Sequence, residues 1–101
     1  MIKVKYRPYK LTVTGHSTSA PLGEDLVCAG VSTLTTALAE TLAEKAKILN
    51  VCAINLKEGD ASIYVVPKKG HEHKINLIIS TIMTGYRLMA ETFPDYIQLD
   101  C

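Results

Sequence analysis

A histidine and a cysteine stand twelve residues apart in GHSTSAPLGEDLVCAG, residues 15–30, and together they could perform thiol chemistry. His16 follows Gly15 at the end of a strand-like segment. Cys28 sits near the start of a helix-like one. With Asp25 as N-cap, Cys28 is the third helical residue, in the turn whose backbone N–H groups lack helical partners. Partial positive charge there stabilises a thiolate, and the same N–H groups can hold the oxyanion of an acyl-transfer intermediate. Imidazole, with an unperturbed pKa of about 6.5, is a natural base for such a thiol. Each residue also has an ordinary reading, Cys28 as a small buried side chain beside Leu26 and Val27 and His16 as a surface or capping group. Ser32 lies one helical turn beyond Cys28 and can project near it. Gly30 costs helix stability, which points to close packing or to close approach of a peptide.

The remaining cysteines and histidines offer less. Cys52 alternates with Ile54 and Leu56 on one strand face, which reads as core, and Cys101 is the terminal residue. Three cysteines with no C-x-x-C pair argue against a disulfide framework and a zinc ribbon. His71 and His73, two apart, do not share a helical face, and Cys28 with His16 gives too few ligands for a metal. No metal and no organic cofactor is expected.

The elements that must position His16 and Cys28 can be read from periodicity. Ile2, Val4 and Tyr6 alternate with basic residues, and Leu11 and Val13 resume the alternation after a turn at Pro8, an N-terminal hairpin. Residues 16–24 lack periodicity and hold Pro21 and Gly23, so they form a loop, expected to cover the pair and to open for a ligand. Val27, Val31, Leu34, Leu38 and Leu42 then mark an amphipathic helix from Asp25 to about Leu49. Val51–Leu56 and Ala61–Val66 are strands joined by a tight turn at Gly59. Ile75, Ile79, Ile82, Tyr86, Met89 and Phe93 mark a second helix, stopped by Pro94, and the tail DYIQLDC can add an edge strand. The order β-β-α-β-β-α predicts a two-layer α+β fold, a mostly antiparallel sheet with two helices on one face. Residues 1–101 form a single domain in this reading. Leu77, Ile78 and Leu88 lie off the main stripe of the second helix, a surplus that suggests a homodimer.

Composition narrows the function classes. With 48% hydrophobic and 21% charged residues the chain is globular, and its net charge of +1 is spread without a basic stripe for nucleic acid or anionic membrane. Apolar runs are interrupted too often for an obvious bilayer span, and the N-terminus lacks the apolar core of a signal peptide, so a cytoplasmic location is expected.

Gly15-His16 followed by GEDLVCAGVS at 23–32 resembles the signature of the ribosomal-processing cysteine protease family, called Prp. There, Gly-His ends a strand and Gly-x-Asp-[Ile/Val/Leu]-Val-Cys-Ala-[Ala/Gly]-x-Ser opens a helix at the same spacing. The resemblance implies a dimeric peptidase with Cys28 as nucleophile and His16 as base. Gly23 belongs to the motif, Asp25 would hold the loop–helix junction, and Ser32 would line the substrate groove beside Gly30. It further implies that the substrate is the N-terminal extension of large-subunit ribosomal protein twenty-seven, cut after phenylalanine and before a small residue. Ser17 replaces the family's usual alanine, and the loop is polar rather than charged. Phage-associated relatives acting on capsid or scaffold proteins offer an alternative substrate. A ribosome-associated peptide-binding module without catalysis is the rival class.

Overall fold

Alternation at the N-terminus produces a hairpin that forms the middle of the sheet. In the computed structural model, which describes residues 1–15 and 22–101 and, within the first helix, side chains from residue 26 onward, β1 (Ile2–Arg7) and β2 (Lys10–Thr14) pair antiparallel. Helix α1 (Leu22–Glu44) and a short 3-10 turn (Ala46–Ile48) lead into the hairpin of β3 (Leu49–Lys57) and β4 (Asp60–Pro67). Helix α2 (Glu72–Thr92) and β5 (Ile97–Asp100) complete the chain. The sheet order is β3-β4-β2-β1-β5, antiparallel except where β5 runs parallel to β1. This is the expected α+β arrangement, and the tail is a strand: Ile2 N–H donates to the Tyr96 carbonyl at 2.9 Å as it begins.

Strand register sets the core. On the helix-facing side one cross-strand row runs Leu56, Ala61, Val13, Val4 and Leu99, and a second runs Ile54, Ile63, Leu11 and Tyr6. The central members Val4, Leu11 and Ile63 are fully buried beneath Val27, Val31, Leu38 and Leu42 of α1 and Ile75, Ile79 and Tyr86 of α2. Burial declines toward β3, the outer strand. Cys52, opposite Val65, faces the helix side but is exposed, because the helical layer stops short of β3. The core position inferred from its alternation is therefore corrected: the face was right, but Cys52 is exposed on it.

Two helix limits also differ from the periodicity. The apolar pattern continues through Ile48 and Leu49, yet α1 ends at Glu44 and Leu49 opens β3, so pattern alone did not separate the helix from the strand after it. At the other end α1 begins at Leu22, within the stretch read as loop.

Counting uninterrupted apolar runs also misses a property of α1, since Leu26–Glu44 has the length and composition to cross a membrane. Here its apolar stripe is committed to the sheet. The hydroxyls of Thr33, Thr35 and Thr41 donate to carbonyls four residues back, satisfying themselves on the helix.

The helices approach closely through two glycines. A Cβ at Gly85 would lie 2.7 Å from Leu34 Cδ2, and one at Gly30 would lie 2.7 Å from Met89 Cε. Beside the Leu34–Gly85 contact, Thr35 is the one buried polar residue among the described residues. Its hydroxyl donates to the Val31 carbonyl at 2.8 Å, leaving a lone pair to accept the Tyr86 phenol at 2.6 Å. Burial pushes the Tyr86 phenol up from its ordinary pKa.

Candidate active site

At the end of the sheet where β2 stops and β3 turns into β4, α1 does not meet the strands. A cleft of about 560 Å³ opens there. One wall is α1, which presents Cys28, Ser32 and Thr36 at helical spacing. The floor is apolar, formed by Ile2, Val13 and Ala61, and Leu56 with the 57–60 turn makes the far wall. Cys28 is half-buried, while Cys52 and Cys101 are exposed away from the cleft lining. Among the described residues no cluster of histidine, cysteine and carboxylate side chains is suited to a metal ion.

Gly15 is held at the rim from two sides. Its N–H donates to the Gly59 carbonyl at 3.0 Å, tying the end of β2 to the β3–β4 turn. Its φ of 92° is left-handed, and a Cβ there would collide with the Met1 carbonyl oxygen. Glycine is thus required immediately before His16 for both conformation and space. His16 itself lies outside the described residues, as do residues 17–21 of the expected covering loop and the side chain of Asp25, and of Gly23 only the helical backbone is described.

Two assignments change. Because α1 starts at Leu22, Asp25 is inside the helix and is not its N-cap, and Cys28 is the seventh helical residue. An amide at that depth belongs to the i→i−4 ladder, and the helix-end field falls off within the first turn. The unpaired N–H groups of the helix start therefore do not serve the thiol as the sequence suggested. Gly30 is the second change. It faces Met89 on α2 rather than the cleft, so it supports the site by letting the helices approach, and the alternative of peptide approach is dropped.

The structure thus brings Cys28, Ser32 and Gly15 to one cleft and leaves Gly30 behind it. Thr36, Leu56 and the 57–60 turn were not singled out by sequence. Their part in the site depends on sheet register, which no local motif carries.

The family model described as cysteine protease Prp matches residues 1–98. The chain belongs to that family. It is therefore a cysteine protease, a peptide-bond hydrolase of the thiol class. Prp structures share its fold: the essential ribosomal processing protease Prp from S. aureus in complex with a substrate peptide superposes with a TM-score of 0.76 at 18% identity, covering 98% of this chain and 95% of that one. The S. aureus protein with a covalently linked product peptide gives 0.71 at 19% identity, with the same coverages. SMU.848 from Streptococcus mutans gives 0.70 at 23% identity, covering 98% of this chain and 90% of that one. No curated protein matches the chain significantly in sequence.

Proposed function

We propose that Cys28 is the nucleophile and His16 the general base of a ribosomal processing peptidase. The observation carrying this reading is that Cys28 and Gly15, the residue bonded to His16, line one cleft. The Cys28 thiolate attacks the scissile carbonyl carbon, and the tetrahedral intermediate collapses with the C–N electrons leaving on the amine. His16, protonated when the thiol ionised, gives that proton to the amine. Water then attacks the thioester, His16 accepts its proton, and the thiol and a carboxylate product are released. With Cys28 beyond the first helical turn, thiol activation falls to His16. Ser32, exposed on the same wall, positions the substrate backbone.

The substrate proposed is the N-terminal extension of large-subunit ribosomal protein twenty-seven, cut after phenylalanine, in the cytoplasm. Its support is the motif at 15–16 and 23–32 together with the S. aureus relative, a ribosomal processing protease held with a substrate peptide. A homodimer is proposed from Leu77 and Leu88 on α2, which are 59% and 52% exposed. Sedimentation should give twice the chain mass, and Leu88→Glu should lower it; a monomer for the unaltered chain refutes the dimer. The catalytic reading is tested with a peptide copying that extension. The unaltered protein should cut it and Cys28→Ser should bind without turnover. Equal cleavage by both would show the nucleophile to be misassigned.

A further inference from the structure

The cleft has an apolar far wall that the fold does not use. In the cross-strand row Leu56, Ala61, Val13, Val4 and Leu99, cover decreases in one direction. Val4 is fully buried, Val13 is 9% exposed, Ala61 is half-buried, and Leu56 is 45% exposed. Leu56 shares its face with the core but has no helix above it, and it lines the cleft whose opposite wall carries Cys28. Its cross-strand neighbour toward the cleft is alanine, the smallest side chain in that row, so the floor beside it is recessed. Lys57, Glu58 and Asp60 beyond it carry charge of both signs, so the rim has no strong preference for a charged residue.

We propose that Leu56 is a specificity-determining residue: with Ala61 it forms a shelf that seats a large apolar substrate side chain near the bond attacked by Cys28. This rests on the reading of Cys28 as nucleophile. A large apolar side chain removes exposed Leu56 surface from water, whereas an alanine leaves the recess unfilled. Discrimination from such a contact is limited to about ten- to a few hundredfold, because it is hydrophobic burial rather than hydrogen bonding that selects. A charged residue in place of Leu56 should abolish the preference without disturbing the buried row beneath α1.

The test uses pairs of cleavable peptides identical except for phenylalanine or alanine beside the scissile bond. The unaltered protein should favour the phenylalanine member in kcat/KM. Leu56→Ala should reduce that ratio about tenfold, and Leu56→Asp should abolish it, with Cys28 alkylation rates and thermal midpoints unchanged. Ratios that stay unaltered in both variants overturn the shelf. A second measurement separates this from the catalytic reading. In methyl NMR spectra of the unaltered protein, N-acetyl-phenylalanine amide should shift the Leu56 methyls and N-acetyl-alanine amide should not. Failure to cut any peptide, with those shifts present, would refute the nucleophile and keep the shelf; absent or indiscriminate shifts overturn the shelf itself.

Discussion

The sheet has a covered half and an uncovered margin, and the two differ in what holds them. Over β1, β2 and β4 the helices bury Val4, Leu11, Ile63 and Val65 almost completely, and the one buried polar residue among those described, Thr35, has both partners it needs. At the margin, β3 keeps Cys52 and Leu56 exposed on the helix-facing side, and the 57–60 turn closes the cleft opposite Cys28. Substitutions in the covered half should therefore act on stability, and those around the cleft on turnover and selectivity. α1 belongs to both, with Val27, Val31, Leu38 and Leu42 in the core and Cys28, Ser32 and Thr36 on the cleft wall.

That division can be broken most severely at the dyad. His16→Ala should lower peptide hydrolysis by about a hundred- to ten-thousandfold, the range for losing a general acid–base. The thermal midpoint should not move. Because Cys28 stands on the second turn of α1, the helix start should not sustain appreciable residual activity; a variant retaining a tenth of the rate would show that another group activates the thiol.

In the covered half, Tyr86→Ala should cost about 3–5 kcal/mol in denaturant titration by removing a fully buried ring, with kcat/KM of the folded fraction preserved. A smaller loss, about 1–3 kcal/mol, is expected for Thr35→Val, which strands the Tyr86 phenol without its acceptor. The same phenol gives a pH signature. Its folded pKa is raised by burial, so its contribution to stability is complete below the unfolded value of about 10 and is lost as pH rises beyond it. Tyr86→Phe should flatten that alkaline decline, and an unchanged decline would place its cause elsewhere. The smallest effect is expected at the margin, where Cys52→Ser should change stability by no more than about 0.5 kcal/mol. A large loss there would mean that β3 is covered in solution.

Much of this was legible in sequence where a short-range rule acts. Alternation located the hairpins, the spacing of Ile75, Ile79 and Tyr86 located the buried face of α2, and Gly15 with Cys28 marked the cleft ends. Cys52 was misread because alternation tells which face a residue takes but not whether a helix reaches over it. The start of α1 was misread because Pro21, Gly23 and the two acidic residues suit a loop or cap as well as a first turn. Leu56 was silent because its place opposite Cys28 depends on the register of β3 against β4 and of β4 against β2.

The central claim is that one thiol, activated by His16, does the chemistry in the cleft. Since Cys52 and Cys101 are both exposed, both must be replaced by serine before the remaining thiol is followed. The direct measurement is the rate of iodoacetamide labelling of Cys28 near neutral pH in that background, with His16 intact and with His16→Ala. Labelling should be fast with the histidine and at least about tenfold slower without it, in step with the loss of hydrolysis. Equal rates in the two proteins would contradict the dyad.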